Sequence, residues 1–323
     1  MQPFKFYPIL KQTLWGGERI VPYKKLDSRL THVGESWELS GIAGSESVVA
    51  EGPCAGYTLS ELIGKFGADL LGKNNYTRFG KDFPLLIKFI DAREDLSIQV
   101  HPNDELARKR HGKNGKCEMW YVLESGTGAT LLTGFSRRIT PMEYETRVAD
   151  NTLTEVLKHH VIAPGDTFYL PAGQVHSIGK GSFIVEIQQT SDVTYRIYDF
   201  GRLDASGAPR ELHTELAREA IDYKPSNDIR IDYTHVSNQE IPLVSTPYFT
   251  TSLYEQTKRT RHDWSSVDSF IVLIFLEGFG TLTDNEANCL EVGQGETWLV
   301  PASTQWIEVE PKTSTLRFLT SRV

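Results

Sequence analysis

The feature of this sequence that most constrains its fold is an internal repeat with a spacing of 130 residues. Residues 165–172 read Gly-Asp-Thr-Phe-Tyr-Leu-Pro-Ala, and residues 295–302 read Gly-Glu-Thr-Trp-Leu-Val-Pro-Ala. Upstream of each copy lies a second likeness, between residues 122–128 and residues 275–280. A tight turn that leads into a short strand is typical of small β-barrels. The repeat therefore predicts a mainly β fold with two barrels in one chain.

Two segments depart from this pattern and predict helical insertions, at about residues 58–75 and 140–160. In the first, Thr58 and Glu61 match a capping box ahead of apolar residues at helical spacing. In the second, Thr140 and Pro141 are residue types preferred at the N-cap and first position of a helix. Residues 224–247 are polar and rich in turn-forming types. We therefore expect two domains, residues 1–223 and residues 224–323.

Composition and charge argue against several classes of function. The formal net charge is −8 and no run of Lys and Arg is long enough to follow a phosphate backbone, which disfavours nucleic acid as a partner. The sequence has neither a signal-peptide pattern nor 18 consecutive apolar residues, which disfavours a membrane partner. Its three cysteines lack Cys-x-x-Cys spacing, as is typical of a reducing compartment. We expect a cytoplasmic protein, either a monomer or a homodimer.

Residues 96–104 contain the first half of a candidate metal site. Ser97, Gln99 and His101 alternate with Ile98 and Val100. Because side chains along a strand point to opposite faces in turn, the three polar residues are expected to share one face. An imidazole nitrogen and an amide oxygen on one rigid strand can bind a cation together. A polar strand face with a hydrogen-bonded histidine is the plainer alternative.

Two further candidate ligands come from other predicted strands. Glu118 precedes the strand of residues 119–123, and His176 follows a Pro-Ala-Gly corner. In the second copy of the repeat, Trp306 replaces His176 and Ile271 replaces Glu118. The second barrel is therefore expected to lack metal ligands and to have a structural role. Oxygen and nitrogen donors of this kind suit Zn²⁺ or another divalent first-row metal. The predicted ligands are Gln99, His101, Glu118 and His176.

A buried charge is predicted on a later strand. Glu186 lies within an otherwise apolar run, and a carboxylate is costly to bury without a partner or a task. Arg196 can be its partner in a plain ion pair, or it can bind a phosphate or an oxyanion. Both interpretations stay open at this point.

Together these motifs resemble the type I mannose-6-phosphate isomerase family, in its short bacterial form. The likeness covers roughly residues 3–203 and is carried by the motifs Phe-Pro-Leu-Leu-Ile-Lys at 83–88, Leu-Ser-Ile-Gln-Val-His-Pro at 96–102, Lys116-x-Glu118 and Pro-Ala-Gly-x-x-His at 171–176. Residues 15–17 and 34–40 also resemble the family. The long members continue after the arginine with Ala/Gly-Gly-Leu-Thr-Pro-Lys, whereas this chain reads Ile-Tyr-Asp-Phe-Gly-Arg. Phosphate contacts beyond Arg196 are therefore not carried over, and Arg202 is a hypothetical one.

The resemblance implies a pair of cupin-like, jelly-roll β-barrels with a helical insertion, and one Zn²⁺ per chain on the four ligands above. It implies a sugar phosphate substrate and the reversible interconversion of D-mannose 6-phosphate and D-fructose 6-phosphate through a cis-enediol. Four more residues match active-site positions of the family: Lys88, Lys116, Glu186 and Arg196.

The roles of these four residues are hypotheses. We expect Glu186, with its pKa raised by burial, to move the proton, and Lys116 is the alternative. Arg196 is expected to bind phosphate or the enediolate, and Lys88 to add positive potential. Competing interpretations are a non-catalytic sugar-binding cupin, an isomerase of another aldose phosphate and an iron-dependent cupin dioxygenase. The conjunction of metal ligands with two lysines and an arginine favours the isomerase, since a dioxygenase needs no phosphate-binding cations.

Overall fold

The computed structural model describes residues 1–204 and 206–323, and its secondary structure is mainly β. The first part of the chain contains β1 (Phe4–Lys5), β2 (Ile9–Gly17), β3 (Val33–Leu39), β4 (Gly41–Ile42), β5 (Ser45–Glu46), β6 (Leu85–Asp91), β7 (Ile98–Val100), β8 (Glu118–Ser125), β9 (Thr130–Phe135), β10 (Leu157–Val161), β11 (Thr167–Leu170), β12 (His176–Ile178), β13 (Ser182–Gln189) and β14 (Tyr195–Tyr198). The second part contains β15 (Glu240–Ser245), β16 (Thr250–Gln256), β17 (Thr260–Asp263), β18 (Ile271–Glu277), β19 (Phe279–Asp284), β20 (Cys289–Gly293), β21 (Thr297–Val300), β22 (Trp306–Pro311) and β23 (Leu316–Arg322).

The first barrel consists of two antiparallel sheets. Their strand orders are β11-β8-β13-β6-β3-β2 and β10-β9-β12-β7-β14. The apolar cluster between them includes Trp120, Val122, Leu131 and Ile184. Trp120 and Val122 are two residues apart on β8, and this alternation continues back to Glu118. The strand period therefore places Glu118 on the side of β8 that faces the barrel interior.

Apart from β1, β2 and β14, the strands of the second barrel have the same order as those of the first. The sheets of the second barrel are ordered β1-β21-β18-β23-β16-β15 and β17-β22-β19-β20. The predicted fold, mainly β with two cupin-like β-barrels and a helical insertion, is confirmed. The N-terminal strand β1, which lies inside the predicted first domain, pairs with β21 of the second barrel. The division of the chain into residues 1–223 and 224–323 stays a prediction.

Helices surround the barrels rather than fill them. They are α1 (Ile20–Tyr23), α2 (Leu59–Phe66), α3 (Ala68–Leu71), α4 (Lys73–Phe79), α5 (Asp104–His111), α6 (Pro141–Ala149) and α7 (Thr214–Ala220). The capping box of α2 is formed, because the Thr58 side chain accepts from the Glu61 N–H and the Glu61 carboxylate accepts from the Thr58 N–H. Gly67 and Gly72, both with positive φ, separate α2, α3 and α4. None of the described helices is long and apolar enough to cross a membrane.

The second predicted helical segment is only partly helical. Helix α6 ends at Ala149, a 3-10 turn covers Leu153–Val156, and residues 157–161 form β10. The expectation of helix as far as residue 160 is wrong there. Asn151 has a φ of 55°, which breaks the helical path. Strand β10 then pairs with β9, and this non-local pairing decides the conformation of a stretch whose local sequence is ambiguous.

The two barrels share one apolar core. Leu85, Ile87 and Phe89 on β6 belong to the same buried cluster as Leu253 on β16 and Ile274 on β18. Because alternate residues of β6 face opposite sides, this strand contributes one side to the shared core and the other to its own barrel. Lys88 lies between Ile87 and Phe89 and therefore points into the first barrel. The fold thus fixes which residues of β6 can take part in a site there.

Candidate metal centre

The candidate ligands lie around strand β7, which pairs with β12 on one side and with β14 on the other. Gln99 lies opposite His176 of β12 and opposite Arg196 of β14. Directly opposed residues of antiparallel strands point to the same face of a sheet. Ile98 and Val100 are fully buried on the other face, as the alternation predicted. The sheet therefore presents Gln99, His176 and Arg196 to one side.

Three of the predicted ligands form a compact buried cluster. His101 Nε2 lies 3.5 Å from Glu118 Oε2, and His176 Nε2 lies 3.4 Å from Glu118 Oε1. One ligand atom from each of the three residues lies within 4.8 Å of the other two. Donor atoms placed about 2.1 Å from a tetrahedral ion are separated by about 3.4 Å. The two distances from Glu118 to the imidazoles fit such an ion.

Hydrogen bonds orient both imidazoles toward the cluster. His101 Nδ1 donates to the carbonyl of Val193 at 3.0 Å, and His176 Nδ1 donates to the carbonyl of Gln174 at 2.8 Å. Burial lowers the pKa of both histidines, and the charge of Lys116 lowers that of His101 further. Both rings are therefore neutral at physiological pH, with the Nε2 lone pairs directed inward. This is the form in which histidine binds metals, with its other nitrogen fixed by a hydrogen bond.

The cluster also leaves polar atoms without partners. His101 Nε2 and both carboxylate oxygens of Glu118 are buried and make no hydrogen bond. Lys116 Nζ is 2.9 Å from Glu118 Oε2 and forms an ion pair with it, but not at a hydrogen-bonding angle. Buried polar atoms without partners are rare and call for a ligand or an ion. A divalent cation bound to these atoms would satisfy all three.

Gln99 lies beside the cluster in a different orientation. Its amide Nε2 is 3.3 Å from His176 Nε2, and its Oε1 accepts from the Ser97 hydroxyl at 3.3 Å. To bind a metal through oxygen, the amide has to turn by half a rotation about its last bond. Gln99 therefore lies at the site, but its amide nitrogen rather than its amide oxygen faces the His176 imidazole.

Charged residues continue from the cluster along β13 and β6. The Glu186 carboxylate lies 3.0 Å from Lys88 Nζ and 3.8 Å from Lys116 Nζ, and it accepts from Trp120 Nε1 at 3.0 Å. All four side chains are buried. Burial alone would raise the pKa of Glu186, but Lys116 and Lys88 outweigh it and lower this pKa to about 2. The expected upward shift is wrong, because the sequence did not reveal how close the two lysines lie.

Lys88 has a second carboxylate nearby that the sequence reasoning missed. Burial opposes the charge of Lys88, but Glu186 and Glu35 outweigh it and raise its pKa. Glu35 Oε2 is 3.8 Å from Lys88 Nζ and accepts from Trp37 Nε1 at 2.5 Å. The available signal was the spacing of Glu35 and Trp37, which places them on one face of β3, next to β6.

Arg196 does not pair with Glu186. Within residues 1–204 and 206–323, Glu186 has its ion pairs with the two lysines, and Arg196 Nη1 donates to the carbonyl of Glu211 at 2.9 Å. The plain ion pair left open by the sequence is therefore wrong. The half-buried Arg196 keeps its Nε buried without a hydrogen-bond partner. Burial and the charge of Arg210 lower the pKa of Arg196.

A second group of arginines lies beyond Arg196 and surrounds one carboxylate. Arg210 Nε donates to Asp199 Oδ2 at 2.6 Å, and Arg202 Nη2 donates to Asp199 Oδ1 at 2.5 Å. Arg202 also donates to the carbonyl of Asp95. Arg202, the hypothetical phosphate ligand, is thus bound to protein groups. No local sequence pattern pointed to Arg210, because an irregular segment separates it from its partner Asp199.

Comparisons with known proteins agree with this architecture. Residues 4–124 match the family described as phosphomannose isomerase type I, catalytic domain. The chain is 35% identical over 290 residues to mannose-6-phosphate isomerase ManA of Bacillus subtilis, covering 88% of this chain and 89% of that protein. It is 32% identical over 283 residues to the mannose-6-phosphate isomerase of Streptococcus mutans, covering 87% of each chain.

Solved structures show the same similarity in three dimensions. The mannose 6-phosphate isomerase from Bacillus subtilis has a TM-score of 0.90 and 30% identity, with 100% of both chains covered. A variant of the phosphomannose isomerase from Salmonella typhimurium has a TM-score of 0.77 at 16% identity, also with 100% of both chains covered. At that lower identity the likeness shows the fold alone.

Proposed function

This chain belongs to the type I phosphomannose isomerase family, and on that premise we propose that it interconverts D-mannose 6-phosphate and D-fructose 6-phosphate. The single observation that carries the proposal is the buried His101–Glu118–His176 cluster, in which His101 Nε2 and the Glu118 carboxylate make no hydrogen bond, beside two buried lysines. Aldose–ketose isomerisation moves one proton between neighbouring carbons and needs no redox cofactor. A cation site next to a buried acid–base network suits that chemistry.

We propose one divalent cation per chain, with Zn²⁺ preferred. His101, Glu118 and His176 would hold it, supported by their spacing and by the inward-facing lone pairs of the two imidazoles. Gln99 would be the fourth ligand after rotation of its amide. When bound, the ion supplies a Lewis acid that polarises sugar oxygens and offsets negative charge on the enediolate.

The protein's own cations would bind and orient the substrate. Arg196 shares a sheet face with Gln99 and has a buried, unpartnered Nε, so its guanidinium can donate hydrogen bonds to a phosphate or an enediolate oxygen. Lys88 and Lys116 offset the negative charges of the nearby Glu35 and Glu186. These charges lie in a buried region, where they act more strongly on a developing anion than they would in water.

The proton carrier is one of two neighbouring groups. Glu186 is ionised at neutral pH and can accept a proton, but a carboxylate with a pKa of about 2 is a weak base. Lys116, whose Nζ is 3.8 Å from Glu186, is the alternative. Glu186→Gln and Lys116→Met distinguish them, because replacing the carrier should lower kcat by about 10²–10⁴-fold, whereas replacing the other residue mainly changes KM.

The proposed substrate is tested by measuring initial rates on a panel of aldose 6-phosphates with metal-loaded protein. We expect turnover of mannose 6-phosphate at about 1–10³ per second, the usual range for enzymes, and much slower turnover of glucose 6-phosphate. Preferred turnover of another member would make the chain an isomerase of that aldose phosphate. Binding without turnover of any member would favour a non-catalytic sugar-binding cupin.

A further inference from the structure

The pairing registers relate positions of the second barrel to positions of the first. Glu118 pairs with Leu170, just before a Pro-Ala corner, and Ile271 pairs with Val300, just before the matching corner. The strand that follows each corner then pairs with β7 in one barrel and with β17 in the other. By these registers the candidate ligands of the first barrel correspond to the following residues of the second: Gln99 to Asp263, Glu118 to Ile271 and His176 to Trp306.

A cavity of about 350 Å³ lies at this end of the second barrel, and Ile271 is part of its wall. Thr320 and Ser252 also line it. In the second barrel, Thr320 pairs with Ser252 on one side and with Leu273 on the other. In the first barrel, Glu186 pairs in the same way with Lys88 and with Trp120. Thr320 and Ser252 therefore correspond to Glu186 and Lys88. The cavity therefore occupies, in the second barrel, the place of the proposed active site in the first.

The cavity lacks the catalytic groups of its counterpart. Where the first barrel has buried Lys88 and Glu186, the second has two hydroxyl side chains. Among residues 1–204 and 206–323, the only cluster of three His, Cys, Asp or Glu side chains close enough to hold an ion is His101–Glu118–His176. The second cavity is thus suited to binding rather than to metal-dependent chemistry.

Its lining combines aromatic rings with balanced charges. Tyr254 and the half-buried Trp264 supply the rings. The charged lining residues are two carboxylates and two guanidinium groups, with a formal sum of zero: Glu240, Asp263, Arg261 and Arg322. The carbon-bound hydrogens of a pyranose pack on aromatic faces, and its hydroxyls both donate and accept hydrogen bonds. A dianionic sugar phosphate would face both carboxylates without an excess of cations.

We propose that this cavity is a second, non-catalytic binding site for a neutral saccharide, either a free hexose or the terminal sugar of an oligosaccharide. Trp264 packs against the sugar ring. Glu240, held by the Ser252 hydroxyl at 2.7 Å, accepts hydrogen bonds from the sugar hydroxyls. The volume lies within the range of natural small-molecule sites. The proposal does not depend on the isomerase activity, since it uses none of the residues of the first barrel.

Titration with methyl α-D-mannopyranoside tests the proposal. This glycoside has no phosphate and no free carbonyl, so it cannot be isomerised. The indole N–H signals of the six tryptophans are followed by NMR in protein labelled with ¹⁵N-tryptophan, and Trp264→Phe identifies the Trp264 signal. We expect a saturable shift of that signal with a millimolar dissociation constant, unchanged by saturating mannose 6-phosphate. Methyl α-D-glucopyranoside is titrated in parallel.

Two variants decide whether the shift reports the cavity. Glu240→Gln should weaken binding about 10-fold, the loss expected for one hydrogen bond to a charged group. Phe279→Ala, which removes an exposed ring of the same barrel outside the cavity, should leave it unchanged. Both variants should keep wild-type isomerase rates. The proposal is overturned by no saturable shift with either glycoside up to about 100 mM, by equal binding in Glu240→Gln, or by displacement of the glycoside by mannose 6-phosphate.

Discussion

The buried ion pair between Lys88 and Glu186 should show strong energetic coupling. Their charged atoms are 3.0 Å apart, and both side chains are buried. With an effective dielectric constant of about 20, Coulomb's law gives an attraction of about 5 kcal/mol. The pKa of Glu186 falls from 4.5 to about 2, which corresponds to a net stabilisation of the carboxylate of about 3 kcal/mol. The second figure is smaller because burial opposes the charge, although it also includes the attraction of Lys116.

A double-mutant cycle in metal-free protein measures this coupling. The single variants Lys88→Met and Glu186→Gln should each lose about 3–5 kcal/mol of unfolding free energy, because each leaves a buried charge whose remaining ion-pair partner is 3.8 Å away. The double variant should be less destabilised than the sum, with a coupling of about 2–4 kcal/mol. Urea unfolding at pH 7.5 gives all four free energies.

A surface pair provides the matched control. Lys113 and Asp192 form an ion pair of 2.6 Å, but their side chains are 51% and 41% exposed. The cycle of Lys113→Met and Asp192→Asn should give a coupling below about 1 kcal/mol. A buried coupling no larger than the surface one would refute the reasoning, since it would mean that the carboxylate of Glu186 is neutral or solvated.

Three further predictions concern metal retention, phosphate binding and pH. Glu118→Ala should abolish stoichiometric metal retention after dialysis, measured by atomic emission, and a variant that keeps one ion per chain would remove Glu118 from the ligand set. Arg196→Met should raise KM for mannose 6-phosphate about 10–150-fold, the equivalent of losing about 1.5–3 kcal/mol of charged hydrogen bonding, and an unchanged KM would place the phosphate elsewhere. Burial lowers the pKa of His262 to about 4, so the unfolded chain takes up this proton first and stability falls as the pH drops below about 6.5. Between pH 7.5 and pH 4.5, His262→Gln should therefore lose about 2–3 kcal/mol less unfolding free energy than the wild type, and parallel losses in urea unfolding would contradict the shift.

The sequence predicted those features that depend on local patterns. The alternation around Gln99 correctly placed two candidate ligands on one strand face, because the period of a strand is fixed by its geometry. The repeated Gly-Asp/Glu-Thr turn predicted two barrels, and apart from β1, β2 and β14 the strand order is the same in both. Features of this kind depend on residues that are close in the sequence, so they can be predicted without knowing the register in which the strands pair.

Features that depend on non-local pairing were predicted less well. The pKa of Glu186 is lowered rather than raised, since the register of β13 with β6 and β8 places Lys88 and Lys116 beside it. Residues 157–160 form a strand because β9 lies next to them. The ion pair of Arg196 with Glu186, one of the two interpretations that the sequence left open, is absent for a similar reason, because β14 pairs with β7 and not with β13.

The most direct test of the account is turnover of mannose 6-phosphate by purified protein, measured before chelation, after chelation and after re-addition of Zn²⁺. We predict that chelation abolishes turnover and that one equivalent of Zn²⁺ per chain restores it. The Glu118→Ala variant should stay inactive after the same treatment. Full activity in metal-free protein, or no turnover in protein loaded with one ion per chain, would contradict the central claim that His101, Glu118 and His176 form the metal centre of an isomerase.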